Sequence, residues 1–411
     1  MKPTTIFMSG FTLAILCQGI AYGQFDREIP LSVTPFSKNV TALDLSNNFD
    51  MSFLNREFAN NSSGNRNNTG LSLRGTQFIV DNVGVGLEID IDRRLERTED
   101  IEIITSSTIA SFHGVYGNTL GALNYYAKAA VSVGVDNYKY DSPVFEQDSK
   151  KNLFGLDFEV GMPVGFKQGS GFYVTPFVSY NYNVISDDDY KDILSGFNLG
   201  TRLNIYLPGS SYAKNFGEVS DFSEDMYSQG TNVIGGNARF NVNFGSESNW
   251  YIGGDEDDEE IGENSYYGGM LKTGYYHYFF DDIAIGGDLM IRTSGNNNKD
   301  TDVKQSGFSW KVTPKIQANL PVSGELNNTF FFIGYGFGNS LDKTKYLAQT
   351  TEVKENNTSF DIGAGHNVFF AKGFALVPIL NYTRAKSKNT ETDVQSERNG
   401  IEFIVSMRHA F

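Results

Sequence analysis

Apolar and polar residues alternate with a period of two along most of the chain after residue 40. A period of two places successive side chains on opposite faces of a β-strand, so each such segment has one apolar and one polar face. From Asn82 to Asp92, valine, leucine and isoleucine occupy every second position, and glycine, glutamate and aspartate occupy most of the others. The same design recurs over 154–162 and 308–316. The chain is therefore predicted to be all-β and antiparallel.

The alternation predicts sixteen strands, arranged as two sets of eight. They lie near 43–53, 70–80, 82–92, 101–113, 121–135, 152–164, 171–183, 195–207, 232–244, 266–280, 282–293, 307–320, 327–338, 357–369, 373–384 and 399–411. Tight turns such as Asp81-Asn82 and Asp281-Asp282 are expected at one end. Long polar loops are expected at the other end, over 54–69, 136–151, 245–265 and 339–356. Strands of about 10–13 residues with this loop pattern are typical of up-and-down barrels that cross a membrane.

The two sets also match each other in sequence. Three segments of the first set align with segments of the second: 79–86 with 279–286, 171–176 with 373–378, and 196–199 with 400–403. The separation stays at roughly 200 residues and grows slowly, as small loop insertions would produce. The chain is therefore interpreted as a tandem repeat.

The first 23 residues have the pattern of a secretory signal peptide: a positive Lys2, an apolar stretch, and the small-x-small end Ala21-Tyr22-Gly23. Cleavage there removes Cys17, the one cysteine of the chain. The predicted organisation has five parts: signal peptide 1–23, N-terminal segment 24–42, first barrel repeat 43–207, periplasmic linker 208–231 and second barrel repeat 232–411.

The last residues, Ile401 to Phe411, form an alternating strand that ends on a phenylalanine. In this feature the chain resembles bacterial outer-membrane β-barrels, and each half resembles the eight-stranded barrels of the outer-membrane protein A and X type. The resemblance implies a location in the outer membrane of a Gram-negative bacterium, contact with outer-membrane lipid, and a barrel-assembly machinery that reads Phe411 as its signal.

Sixteen strands can close as two eight-stranded barrels or as one sixteen-stranded barrel. The linker favours two barrels, because adjacent strands of one barrel need no connector of that length. Charged residues of both signs on the inward faces would form the structural ion pairs of a narrow lumen, since buried charges must be paired. Those of the first half are Arg74, Glu88, Asp90, Lys128, Asp157, Glu159 and Arg202. Those of the second half are Arg239, Asp288, Lys311, Lys315, Asp361, Glu402 and Arg408. A single pore lined by the same charges stays open as the alternative.

The sequence offers little for catalysis or for cofactors. With a net charge of −16 the chain is not expected to bind nucleic acid. The histidines, His113, His277, His366 and His409, are expected near the periplasmic strand ends, and Ser111 with His113 in an interfacial aromatic girdle. Neither a Gly-x-Ser-x-Gly elbow nor a His-Glu-x-x-His motif occurs. The acidic run 255–260 is interpreted as a solvated loop, with Ca²⁺ binding as the alternative.

The predicted function is therefore that of an outer-membrane barrel without catalysis, cofactor or resident metal. Its role would be structural, surface-exposed or partner-binding, through protein partners at the extracellular loops. The alternative is a sixteen-stranded porin for passive diffusion of small solutes, preferably cations, because the chain is acidic.

Overall fold

The computed structural model describes residues 35–44, 49–57, 63–98, 100–120, 123–165, 172–188, 190–207, 226–251, 259–320, 328–346, 349–371 and 374–410. For some residues in these ranges only the backbone is described. The predicted signal peptide and Phe411 lie outside them. None of the described residues belongs to a helix long and apolar enough to cross a bilayer.

The described residues form nineteen strands. In chain order they are β1 Thr41–Asp44, β2 Phe49–Glu57, β3 Ser63–Val80, β4 Val83–Thr98, β5 Glu102–Leu120, β6 Leu123–Ser142, β7 Phe145–Gly161, β8 Val164–Gly165, β9 Phe172–Ser186, β10 Tyr190–Leu207, β11 Asn232–Tyr251, β12 Glu259–Phe280, β13 Ile283–Asn298, β14 Val303–Asn319, β15 Thr329–Tyr346, β16 Gln349–His366, β17 Val368–Ala371, β18 Phe374–Asn389 and β19 Gln395–Ala410. The short strands β1, β8 and β17 accompany sixteen longer ones.

All strands belong to one antiparallel sheet that closes on itself, because β19 pairs with β2. The predicted fold class, an antiparallel barrel of sixteen strands, is confirmed. The prediction of two separately closed barrels is wrong. The halves are joined by eleven residue pairs between β10 and β11, from Tyr190↔Tyr251 to Gly200↔Asn241. This continuous sheet fits the single-barrel alternative.

The two ends of the barrel close differently. We call the end with the turns at 81–82 and 281–282 the base, and the opposite end the rim. At the rim, β10 pairs with β11 and β19 pairs with β2, so the sixteen strands form one ring. At the base, β1 pairs with both β10 and β3, which closes the first eight strands. There β11 also pairs with β19, which closes the second eight. We call the closed part of the first eight strands, β1 to β10, the first leg, and that of the second eight, β11 to β19, the second leg. Both legs open at the rim into one common mouth.

Four strands exchange partners where the legs diverge. On β10 the partner changes from β11 to β1 between Gly200 and Asn204. On β11 the partner opposite β12 changes between Gly236 and Asn241, beside an irregularity in the β11–β12 register. Such an irregularity bends a strand and redirects its edge. The pairings at the base thus close each set of eight strands, while the continuous pairing at the rim contradicts the prediction of two separate barrels.

The strands extend farther toward the rim than predicted. β6 has 20 residues and β12 has 22. Most of the predicted loop 136–151 is strand, and only 143–144 connects β6 to β7. The predicted alternation of short and long connections is therefore wrong. Polar side chains on both faces do not end a strand, because its backbone N–H and C=O groups still gain partners from the neighbouring strands.

The outer surface near the base is apolar. On β15, Phe331 and Tyr335 face outward and are 51% and 56% exposed. Phe330 and Phe332, on either side of Phe331, face inward and are buried. The same alternation on the other strands gives an outward apolar band of about ten residues. At about 3.3 Å per residue and a tilt of about 40°, that band is about 25 Å high, which matches the hydrocarbon layer of a bilayer.

Each leg is capped by a short turn, which lies in the predicted N-terminal segment in the first leg and in the predicted linker in the second. In the first leg the N–H of Asn82 donates to Phe36 O and that of Asn39 donates to Phe78 O. The second leg repeats both bonds over its cap, 226–231: Asp282 donates to Tyr227 O and Gly230 donates to Tyr278 O. The rings of Phe36 and Tyr227 are buried in the bases. Equivalent turns thus close both legs.

The caps lead to a prediction about Gly230. Its φ is +95°, and an added Cβ would meet nothing within 4 Å, so only the backbone conformation opposes a side chain there. We expect Gly230→Ala to lower the free energy of unfolding by about 1–2 kcal/mol. Gly230→Asn should cost less, because the equivalent residue Asn39 adopts φ +66°. Urea unfolding of the refolded protein measures both, and equal losses for the two variants would contradict the expectation.

Candidate functional site in the barrel interior

The first leg is filled by a network of charges around Glu159, which β7 places on its inward face. Arg202 Nη1 lies 2.5 Å and Arg74 Nη2 lies 3.2 Å from Glu159 Oε1. The Tyr126 hydroxyl donates to the same oxygen at 2.5 Å. Lys128 Nζ lies 3.6 Å from Glu159 Oε2. Glu159 is 2% exposed, so its charge depends on these partners rather than on water.

The remaining charges of the network surround this centre. Lys128 Nζ lies 2.8 Å from Asp157 Oδ1, and Arg202 Nε lies 3.3 Å from Asp44 Oδ2. The Arg202 guanidinium also stacks on the Phe177 ring, 3.7 Å from its centroid. Between the network and the cap remains a cavity of about 30 Å³, which has room for about two water molecules. The interior of this leg is therefore packed.

The second leg is filled by a network with fewer charges. Lys315 Nζ lies 2.7 Å from Asp288 Oδ2, and the Tyr276 hydroxyl donates to Asp288 Oδ1 at 2.8 Å. Arg408 Nη1 donates to Gln317 Oε1 at 2.7 Å, and its guanidinium lies 4.1 Å from the centroid of the Phe330 ring. The cavity between this network and the second cap is about 10 Å³, which has room for about one water molecule. This leg is also packed.

The structure brings most of the predicted lumen charges together. Six residues of the first half share one network: Arg74, Glu88, Lys128, Asp157, Glu159 and Arg202. Asp90 accepts a hydrogen bond from Ser72 instead. In the second half Lys315 meets Asp288, and Lys311 lies 4.0 Å from Asp361. Glu402 forms no ion pair within 4.0 Å with a described side chain. The side chain of Arg239 lies outside the described residues.

Sequence reasoning missed the tyrosines that complete both networks. Tyr126 and Tyr276 are on inward faces and donate to Glu159 and Asp288. Their signal was available: Tyr126 stands two residues before Lys128, and therefore on the same face. Both belong to runs of aromatic residues, in which alternate rings face opposite sides of the barrel wall.

Ser111 and His113 lie in the interior of the first half and bond to other residues there. His113 is fully buried and lies 2.8 Å from the Thr76 hydroxyl. Ser111 bonds to the Ser132 hydroxyl at 2.7 Å. Their predicted place in the interfacial girdle is wrong, because both face inward. No group of three or more described His, Cys, Asp or Glu side chains could hold a metal ion. Residues 255–258 of the acidic run lie outside the described part of the chain.

The interior is more open toward the rim. A cavity of about 220 Å³ there is lined by residues of β4 to β7, among them Asp92, Thr105, Asp136, Tyr138 and Lys151. Lys151 Nζ lies 2.7 Å from Asp192 Oδ2 on β10. The mouth is therefore polar and wider than the legs, and it ends at two packed bases.

An apolar outer band around a polar, ion-paired interior defines a transmembrane β-barrel, because only a closed sheet satisfies every backbone group within a bilayer. No protein-family model matches the chain, and no curated protein matches it. The chain is similar to the attachment invasion locus protein Ail of Yersinia pestis, at 12% identity and TM-score 0.24, with 43% of this chain and 99% of that chain covered.

Two further solved structures are similar over more of the chain. OccK5 (OpdH) of Pseudomonas aeruginosa is 13% identical, with TM-score 0.28 and coverage of 91% of this chain and 99% of that one. CdiB of Acinetobacter baumannii is 10% identical, with TM-score 0.35 and coverage of 89% of this chain and 60% of that one. These neighbours are outer-membrane β-barrels. At these identities and TM-scores none of them indicates the function of this chain, and the resemblance of each half to the A and X type barrels is not confirmed.

Proposed function

We propose that this protein is a non-conducting outer-membrane barrel with a structural, surface-exposed or partner-binding role and no catalytic activity. The signal peptide 1–23 would be removed on export, and Phe411 would serve as the assembly signal. The base faces the periplasm in this proposal, and the polar rim projects outward beyond the bilayer. One observation carries it: each group of eight strands closes separately at the base around a packed interior.

A packed leg resists ion flow for an energetic reason. A permeating ion would have to displace Arg74, Lys128 or Arg202 from Glu159, and the carboxylate would then be left buried without its partners. Breaking one side of a buried pair costs about 3–5 kcal/mol. The caps add a second barrier, because Phe36 and Tyr227 fill the base below each network.

The rim is the part of the molecule that a partner would contact. Strands such as β6 and β12 continue beyond the apolar band with polar residues on both faces. Partner contacts would therefore be made by ordered strand ends rather than by long loops. A paired strand end presents its side chains in a fixed arrangement, which lowers the entropy lost on binding.

The competing function is a porin for small solutes, preferably cations. The sixteen-stranded ring at the rim favours it, because a ring of that size encloses an aqueous channel when it continues through the membrane. Here the ring divides before the base.

The conductance of the refolded chain, residues 24–411, in a planar bilayer tests the proposal. We expect no stable openings from protein whose folding is verified by its heat-modifiable gel mobility. A known sixteen-stranded porin reconstituted in parallel serves as the positive control. Stable conductance on the order of a nanosiemens would contradict the proposal and identify a porin.

A further inference from the structure

A basic strip covers the outer face of the second half, immediately on the rim side of the apolar band. On the outward positions of β15, β16, β18 and β19 in this region, six cationic residues lie beside two glutamates, and a third carboxylate, Asp393, lies in the turn between β18 and β19. The cationic residues are Lys343, Lys345, Lys354, Arg384, Lys386 and Lys388. The glutamates are Glu352 and Glu397. This local excess of positive charge contrasts with the net charge of −16 of the whole chain.

Three carboxylates pair with five of the six cations, since Lys388 Nζ also lies 2.7 Å from Asp393 Oδ1, and the strip keeps an excess of positive charge. Glu397 is shared between Arg384 and Lys386, with Lys386 Nζ 3.3 Å from Glu397 Oε2. Glu352 is likewise shared, with Lys343 Nζ at 2.7 Å and Lys354 Nζ at 3.4 Å. The side chains of Lys354, Arg384 and Lys386 remain about half exposed, at 51%, 54% and 53%. Lys354 and Lys386 each carry three N–H donors and contact a single carboxylate, so they retain donors for a further ligand.

The strip begins at the border of the apolar band. Arg384 pairs in register with Phe360 on β16, which is 40% exposed on the outer surface. Tyr382, two residues before Arg384 on the same face, is also 40% exposed. The inward residues between them and beyond, Thr383 and Ala385, are buried. The guanidinium thus lies level with lipid-facing rings, at the height where headgroups meet hydrocarbon.

The first half has no such strip on the corresponding strand. The alignment of 171–176 with 373–378 extends along β9 and β18, and it places Tyr182, Val184 and Ser186 where β18 has Arg384, Lys386 and Lys388. The two halves share their fold and their caps, so the barrel architecture does not require these cations. The cations on β18 are therefore better explained by a function of this part of the surface than by a requirement of the fold.

We propose that the basic strip binds the phosphate groups of anionic lipid in the leaflet that surrounds the rim. The proposal rests on the proposed membrane location. Three features fit this ligand: multiple N–H donors for phosphate oxygens, an excess of positive over negative charge, and a position level with the headgroups. The strip would select anionic over zwitterionic lipid on one side of the barrel and orient the protein relative to its lipid neighbours.

Site-specific quenching by brominated lipid tests the proposal on the full mature chain. The chain has two tryptophans, and W250F/W310F removes both. Phe360→Trp then adds a single reporter opposite Arg384. In a second protein Phe154→Trp adds a reporter that is opposite Val184 in the first half. Each refolded protein is measured in vesicles that contain dibrominated phosphatidylglycerol or dibrominated phosphatidylcholine, diluted into unbrominated phosphatidylcholine.

At the Phe360 position we expect the anionic lipid to bind about fivefold more strongly than phosphatidylcholine, which is the preference that about one additional cation provides. R384Q/K386Q/K388Q should reduce the ratio to about one, and E352Q/E397Q should increase it. At the Phe154 position the ratio should be close to one in all backgrounds. The substituted charged side chains lie on the outer surface, and the folding of every variant is checked by heat-modifiable mobility.

Equal quenching by both lipids at the Phe360 position would overturn the proposal and leave the membrane location intact, because quenching by phosphatidylcholine itself requires insertion. A preference that survives R384Q/K386Q/K388Q would also overturn it. The absence of quenching by either lipid from folded protein would overturn the membrane location as well.

Discussion

Replacing Glu159 by glutamine is expected to lower the free energy of unfolding by about 3–5 kcal/mol. The carboxylate lies within 4 Å of Arg74, Lys128 and Arg202 and accepts the Tyr126 hydroxyl hydrogen bond. Glutamine keeps the size of the side chain and removes its charge. Three buried cations then share the remaining carboxylates, and each retains its desolvation cost with less compensation. Urea unfolding of the protein refolded into lipid vesicles measures the loss.

Glu397→Gln is the matched control, because it removes a carboxylate that also contacts two cations but is partly exposed on the outer face, with both cations about half exposed. Exposed ion pairs contribute about 0–1 kcal/mol, so this variant should stay close to the unmodified protein. A double-mutant cycle of Glu159→Gln with Arg202→Met should show that the second change costs less once the first is made. Equal losses for Glu159→Gln and Glu397→Gln would contradict the assignment of Glu159 as the centre of a buried network.

Two engineered disulfides are expected to form almost completely, one at the base and one at the rim. Residues 24–411 contain no cysteine, so each pair can be introduced into that chain without competition. At the base, Thr41→Cys with Leu207→Cys joins β1 to β10, and at the rim, Phe197→Cys with Phe244→Cys joins β10 to β11. Directly opposite residues of antiparallel strands have Cα atoms about 4.5–5.5 Å apart, within the range of a disulfide.

The two disulfides distinguish the three possible closures. Two separate barrels would allow the base disulfide and prevent the rim disulfide. A single barrel that stays undivided to the base would do the reverse. The observed barrel, with one ring at the rim and two closed bases, allows both disulfides in the same molecule. Mass spectrometry of the four-cysteine protein after oxidation measures how many disulfides have formed. Swapped pairs, Thr41→Cys with Phe244→Cys, serve as the control and should stay reduced.

Many of the strands, the tight turns and the inward-facing charges could be predicted from local sequence. The period-two pattern over 82–92 and 308–316 corresponds to β4 and β14, and the turns at 81–82 and 281–282 occur as expected. Charges of the first half such as Lys128 and Glu159 meet because alternation alone assigns both to the inward face. These features depend on residues that are adjacent in sequence or directly opposite in register.

The partner exchange could not be predicted in the same way. Strand β10 carries the same alternation on both sides of Gly200, although its neighbour changes from β11 to β1. Alternation reports the two faces of a strand and contains no information about which strand lies at each edge. The rim ends of the strands were predicted too short for a related reason. Near the rim both faces are polar, so the alternation of apolar and polar residues that marks a strand disappears while its backbone pairing continues. The caps, at 35–40 and 226–231, are turns whose place depends on distant backbone groups.

The exchange of partners at the point where the legs diverge has a consequence for how such a fold can arise. If the rim segments of β2 and β10 paired with each other, and those of β11 and β19 did the same, the result would be two independent cylinders. Exchanging these two pairings for β10–β11 and β19–β2 replaces one set of backbone ladders by another of similar length. A duplicated gene for a small barrel could thus acquire a common vestibule through a change of neighbours alone, without a new strand and without opening either closed end.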